Sequence, residues 1–336
     1  MVGYGETPFY IACENGHTER VKLLLNDNRV DVNESDMIRR TPFWAACYSG
    51  KIEIVKLLLK DKRVDINKVN NHGQTPFFIA CGNGHIEIVK LLLNDERVDI
   101  NKENKFGQTP FWDACHFGHS EIVKLLLNDK RVDISQEENE GDCTPLRIAC
   151  ERGHIEIVKL LLNDERVDIN KASEDDETPF YIACDNEHIE IVKLFLKDKR
   201  VDINKENEYG KTPFYIACQE GYIEIVKLIL LNDIRVDINQ PNKYDKTPFY
   251  VACQNEHLEI VKLLLTEERV DINDIETVLG IAKEKGQMER KVWESEEKYQ
   301  KRKEINGKIV ELLESFESNP NETRTKLRIE FASAGK

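Results

Sequence analysis

Residues 75–101 read TPFFIACGNGHIEIVKLLLNDERVDIN, and a complete two-helix unit follows from them. Thr75 before Pro76 is a helix start: the hydroxyl serves at the N-cap, and proline sits where no amide donor is needed. Phe77, Ala80 and Cys81 fall on one face by three- and four-residue spacing. The small Ala and Cys let a neighbouring helix come close. Gly84 ends the helix in a left-handed conformation. A second helix is expected from Ile86 to about Asn94. It is apolar except at Glu87, Lys90 and Asn94, which lie on one narrow stripe. Asn104-Lys105-Phe106-Gly107 then turns the chain towards the next Thr-Pro.

The same pattern returns along four-fifths of the chain. Thr-Pro begins at Thr7, Thr41, Thr75, Thr109, Thr144, Thr178, Thr212 and Thr247, with gaps of 34 or 35 residues. A unit this small cannot enclose its own core and must stack on its neighbours. The architecture expected is an all-α solenoid of helix, turn, helix and extended hairpin, elongated and curved. One added residue falls in the hairpin before Thr144 and another in the second helix of the seventh repeat, at Leu228-Ile229-Leu230-Leu231.

The repeat resembles the ankyrin repeat, whose signature is Thr-Pro-Leu-His-x-Ala. The matching strings run from TPFYIACENGH at Thr7 to TPFYVACQNEH at Thr247, each followed by a version of IEIVKLLL and VDIN. Phe replaces the family's Leu in seven copies, and an aromatic residue or Arg147 replaces its His. Segments such as Asp95-Glu96-Arg97 stand in for the usual Gly-Ala and make each unit one residue longer. Glu187 and Glu256 stand where the pattern wants glycine, which predicts slightly looser repeats there.

Residues 1–275 form the array of eight repeats in this reading. Residues 276–336 are a divergent C-terminal capping repeat. Thr277 to Ala282 is a degenerate first helix, and Ile309 to Leu313 belongs to its partner. A charged insertion from about Gln287 to Lys303 is expected as an extended helix. Asn319-Pro320-Asn321-Glu322 is a capping box that opens a short last helix, with Leu327 and Phe331 inward and Gly335 as its stop. With only six residues before the first Thr-Pro, either Gly3 to Glu6 form a minimal edge or the chain continues upstream; the alternative reading of function makes it the truncated binding arm of a larger protein with an enzymatic or membrane part elsewhere.

Of 336 residues, 40% are hydrophobic and 33% charged, as in a folded protein, and the net charge is −14. Such an acidic surface repels phosphate, which argues against nucleic-acid and anionic-membrane binding. The first residues lack a signal peptide's basic and apolar regions, and no apolar run approaches the roughly 20 residues of a membrane span. The reading is a cytoplasmic monomer. Eight of nine cysteines share one repeat position on stacked helices, too far apart for disulfides. Cys143, off register, is the one to test for reactivity.

Cys and His recur four apart in six repeats, for example Cys81 and His85. A nucleophile with its base occurs once per enzyme, so this pairing reads as scaffold. No phosphate loop, serine elbow or metalloprotease helix is present, and no cofactor or metal is expected. An enzyme built on Cys143 or on Asp113 and His116 is the competing reading.

The resemblance implies a protein partner held on the concave face by hairpin tips and by exposed first-helix positions. The residues three after Thr are Tyr10, Trp44, Phe78, Trp112, Arg147, Tyr181, Tyr215 and Tyr250, an aromatic row suited to an interface. The fourth and fifth repeats break the pattern. Asp113 stands where the other repeats have Ile, Ala or Val, and a carboxylate at a core position is costly. The expected partner-binding residues are Trp44, Tyr48, Phe106, Trp112, Asp113, His116, Phe117, Arg147 and Arg152. Acidic hairpin tips at Glu137, Glu138, Glu140 and Asp142, and at Glu174 to Glu177, would steer a basic segment of the partner.

Overall fold

A computed structural model describes residues 5–136, 143–232 and 235–334. They fall into two compact bodies, Met1–Glu174 and Asp175–Lys336. The first holds five helix pairs: α1 (Pro8–Glu14) and α2 (Thr18–Leu25), α3 (Pro42–Tyr48) and α4 (Ile52–Lys60), α5 (Pro76–Gly82) and α6 (Ile86–Leu93), α7 (Pro110–His116) and α8 (Ser120–Leu127), α9 (Pro145–Glu151) and α10 (Ile155–Leu162). The second holds α11 (Pro179–Asp185) and α12 (Ile189–Lys197), α13 (Pro213–Glu220) and α14 (Ile223–Asn232), α15 (Pro248–Gln254) and α16 (Leu258–Thr266). It ends with α17 (Ile275–Gln287), α18 (Glu296–Ser318) and α19 (Pro320–Ala334). Among the described residues there is no strand.

Each first helix starts as the dipeptide dictates. Every repeat's threonine Oγ accepts from the backbone N–H three residues on, at 3.0–3.1 Å. Within each body, successive first helices pack on one another and successive second helices do likewise. Phe77, Ala80 and Cys81 are buried, as are Ile88, Val89 and Leu92, while Glu87, Lys90 and Asn94 meet solvent. All eight register cysteines are buried, and burial pushes the thiols of Cys13, Cys47, Cys81, Cys115, Cys184, Cys218 and Cys253 up, that of Cys13 to about 12. The added residue of the seventh repeat lengthens α14. The one before Thr144 and the acids Glu137, Glu138, Glu140 and Asp142 lie outside the described residues, as does Gly335.

Three side-chain contacts recur at the joints, and the sequence pattern explains all three. At four joints the histidine opening the second helix reaches back to a carbonyl of the preceding first helix: His85 to Tyr48 O at 2.8 Å, His119 to Gly82 O at 2.8 Å, His154 to His116 O at 3.0 Å and His257 to Gln219 O at 2.9 Å. A carbonyl can only accept, so Nε2 carries the proton. The preceding glycine is needed twice over. Gly84 has φ 75°, and a Cβ there would stand 2.7 Å from the His119 ring. Glu187, at φ 57°, occupies the glycine position in a repeat followed by Tyr222 rather than His.

The Asp-x-Arg segment is the second lock. Arg97, Arg131 and Arg166 each bond their own Asp and donate to Leu59, Leu93 and Leu127 O of the preceding second helix, at 2.8–3.0 Å. The extra residue of the 34-residue repeat therefore supplies a C-cap to its neighbour. The third lock is the asparagine of Val-Asp-Ile-Asn. Asn67 donates to Arg97 O at 2.7 Å and accepts from Asp99 N at 3.0 Å, and Asn33, Asn101, Asn204 and Asn239 repeat this. Ser135 is too short for the same reach, and its Oγ bonds Asp133 instead.

The last three helices depart from the expectation in detail. The charged insertion is only partly helical: residues 288–295 form an irregular segment, and α18 starts at Glu296 behind the Ser295 N-cap. The Glu294–Arg302 ion pair, with N···O at 2.9 Å, pins that segment to the side of α18. Asn319 Oδ1 accepts from Glu322 N–H as an N-cap, but Glu322 Oε2 accepts from Asn319 Nδ2 while the Asn319 backbone N–H goes to Ser315 O, so only half of the expected capping box forms. The final helix runs 15 residues, with Leu327 buried and Phe331 half-buried.

Candidate functional site

The aromatic row does not lie open. Trp44 and Trp112 are buried, as are Tyr10, Phe78, Tyr181 and Tyr215. For three of them the next hairpin meets the ring's polar tip, whereas Tyr10 Oη and Trp44 Nε1 are buried without a hydrogen-bond partner. Trp112 Nε1 donates to Cys143 O at 2.8 Å, and Asn207 and Asn242 donate to the hydroxyls of Tyr181 and Tyr215 at 3.1 and 2.9 Å. These rings are scaffold. Arg147 is likewise folded back, its Nη1 3.3 Å from Glu151 Oε2 and 3.6 Å from Cys143 Sγ. Cys143 itself is buried rather than presented to solvent.

The exposed ends of the first helices carry the open groups instead. Tyr48 and Phe117 are 45% and 56% exposed. Arg152 is exposed and His116 half-buried. The rings come in stacks: Trp44 with Tyr48 at 5.1 Å, Trp112 with His116 at 5.0 Å, and His116 edge-on to Phe117 at 4.7 Å. A buried tryptophan thus props up Tyr48 and His116, and His116 in turn props up Phe117. His116 Nδ1 is buried without a hydrogen-bond partner. Desolvation and then the Arg152 charge lower its proton affinity, so the ring is neutral at pH 7 and keeps one nitrogen free to accept. Phe106 stands 46% exposed on the loop before α7, its backbone N–H held by Asn104 Oδ1 at 2.9 Å.

Asp113 is the exceptional group. It is 7% exposed, and burial alone pushes its carboxyl up to about 7. No donor among the described residues bonds the carboxylate. Its Oδ2 lies on the bare Cα of Gly82 in α5, where a Cβ would overlap it and would stand 3.7 Å from Phe117 Cδ2.

The family described as ankyrin repeats (3 copies) matches residues 2–70, 59–138, 96–173, 130–207, 148–242 and 199–276. These stretches together take in residues 2–276. The chain belongs to the ankyrin-repeat family. No curated protein matches it. Ankyrin repeats generally mediate protein–protein interaction, and proteins built from them are typically non-catalytic scaffolds. Among the described residues no three His, Cys, Asp or Glu side chains are grouped to hold a metal, and no helix is long and apolar enough to cross a membrane.

Sequence reasoning missed Gly82, although it is the one repeat with no side chain at the position after Cys. It also missed Tyr209 and Tyr244 at 48% and 68% exposure. Both stand three residues before Thr, the register of Phe106, so alignment of the hairpins would have found them.

Proposed function

We propose that this ankyrin-repeat chain is a cytoplasmic, non-catalytic scaffold that holds a protein partner across the ends of its first helices, the concave side in the family's arrangement. Residues 276–336 are its terminal cap in this reading. The observation that carries it is the α3–α9 row. There, Tyr48 lies exposed over buried Trp44, Phe117 lies exposed against half-buried His116, Arg152 acts on His116, and Asp113 is buried on the same helix. Exposed aromatics and arginine fixed by a rigid base are the residues that anchor interfaces. The partner segment carries positive charge, drawn by the chain's net charge of −14 and by exposed Glu174, Asp175 and Asp176.

The test is affinity capture with the intact chain, compared with Phe117→Ala combined with Arg152→Ala. The double variant leaves every joint contact in place. Its capture of the partner should fall at least tenfold, about 1.4 kcal/mol or more. Undiminished capture by that variant overturns the reading.

A further inference from the structure

Every repeat carries asparagine after Val-Asp-Ile or Val-Asp-Val except the fourth, which carries Ser135. Asn33, Asn67, Asn101, Asn204 and Asn239 each donate from Nδ2 to an arginine carbonyl of the next repeat, at 2.7–2.9 Å. Their Oδ1 accepts from the N–H of the aspartate two residues on, at 2.8–3.0 Å. The valine between those two backbone groups is buried in each case, at Val64, Val98, Val132, Val236 and Val270. Behind Ser135 the corresponding groups are Arg166 O and Asp168 N. Ser135 Oγ turns to Asp133, and neither backbone group has a hydrogen-bond partner among the described residues. Val167 between them is only half-buried. A cavity of about 240 Å³ opens at this place, walled by Ser135, Arg166 and Asp168 and floored by apolar side chains such as Ile134, Pro145 and Leu161.

We propose that this notch is a binding site for a primary carboxamide, the side chain of a glutamine in a bound protein segment, which takes the place of the missing asparagine head. The notch lies at the Thr144 end of α9, and Arg152 stands at the other end of that helix. The site is therefore separate from the first-helix face and does not depend on it.

Arg166 O can only accept and Asp168 N–H can only donate, so the ligand must offer a donor and an acceptor side by side. A primary amide does this along one edge, as five asparagines of this chain demonstrate on the equivalent groups. A carboxylate has no donor for Arg166 O, and an ammonium or guanidinium has no acceptor for Asp168 N–H. Size agrees. Sites for whole small molecules run from about 300 Å³ upward, and this one is smaller, in keeping with a single side chain. The apolar floor suits the two methylenes of glutamine, which carry the amide in from outside. The receiving groups are already fixed, because the Arg166 side chain bonds Asp164 and Leu127 O at 2.6–2.9 Å, so little ordering is needed on binding.

The experiment follows the backbone amide of Asp168 by NMR in the intact chain while N-acetyl-glutamine N-methylamide is titrated in. The glutamate and methionine counterparts of that probe are run alongside. The glutamine probe should move the Asp168 signal saturably and bind at least tenfold more tightly than either control. Ser135→Ala, which leaves the notch open, should keep the response. Ser135→Asn supplies the carboxamide from the chain itself and should abolish it, with the Asp168 signal starting near the position that saturating glutamine reaches. That variant restores the contact of the other repeats, so its lost response cannot come from unfolding. An Asp168 amide that ignores glutamine, follows glutamate or methionine equally well, or still responds in Ser135→Asn overturns the site. Partner capture by the Phe117 and Arg152 double variant reads the other face, so the two proposals fail separately.

Discussion

At the α15–α16 pair every backbone acceptor of a joint is taken, and by residues outside the repeat pattern. Lys285 of α17 donates to Gln254 O, in the place where a repeat would offer its histidine. Arg324 and Arg328 of α19 donate to Leu265 O and Thr266 O at 3.2 and 2.8 Å, in the place of the Asp-x-Arg arginine. Glu256, lacking the glycine's freedom, takes φ 68° and accepts from Asn306 Nδ2 of α18 at 3.0 Å. At the α1–α2 pair the reciprocal donors stand open. His17 is exposed, and its ring has no hydrogen-bond partner among the described residues. The Arg29 side chain is 90% exposed, against 46% for Arg97, and bonds only its own Asp27. Beside them Ile11 and Leu23 show 42% and 73% of their surface. The contrast teaches that a joint is a transferable set of contacts. Unrelated side chains satisfy it if they reach the same carbonyls, and unpaired members contribute nothing to stability.

The filled end breaks most readily from inside. Phe316 is fully buried under Arg324, whose guanidinium lies 5.1 Å from the ring centroid. Phe316→Ala should cost about 3 kcal/mol, seen in urea unfolding as an earlier transition of the second body.

Asp113 tests the inside of a joint that is polar for no structural gain. Its folded-state carboxyl titrates near 7, above the ordinary 3.8. The folded chain thus holds a proton that the unfolded chain has released. Stability therefore falls as pH rises from about 4 to about 7 and levels off above that. Asp113→Ile should flatten this slope and raise stability at pH 8 by on the order of 3 kcal/mol. Denaturation curves at pH 5 and pH 8 measure the gap, and an equal gap at both would refute the assignment.

Arginine substitution sharpens the contrast between closed and open joints directly. Arg97→Ala removes a bond to Leu59 O and should cost about 1 kcal/mol. Arg29→Ala, at the open face, should change stability by less than about 0.5 kcal/mol. The smallest effect is a repair. Ser135→Asn should restore the missing asparagine link and stabilise the first body by about 0.5–1 kcal/mol, visible as a small rise in the thermal midpoint.

The fold was largely legible because repetition multiplies weak local signals. One Thr-Pro is a poor helix mark, but eight at a fixed spacing name every first helix, and the Gly and Cys positions follow in register. Of the candidate residues, only the exposure can be compared with the reading. Tyr48, Phe106, Phe117 and Arg152 lie open as expected, while Trp44, Trp112 and Arg147 were misplaced. A ring in every repeat signals shared packing, and the Nε1 bond from Trp112 to the next hairpin shows what it packs against. The insertion before α18 was read as helix from its charges. The Glu294–Arg302 pair and the Ser295 cap settle the first part of it otherwise, by side-chain contacts that charge composition does not reveal.

Periodicity alone set the helices, their caps and their inward faces, because each depends on neighbours within one turn of the chain. Which polar side chains bridge repeats, which rings sink beneath a hairpin, and that Asp113 rests on the empty flank of Gly82 all depend on residues about thirty positions apart. Only stacking brings those together, since a side chain's burial is fixed by what the adjoining repeat places over it.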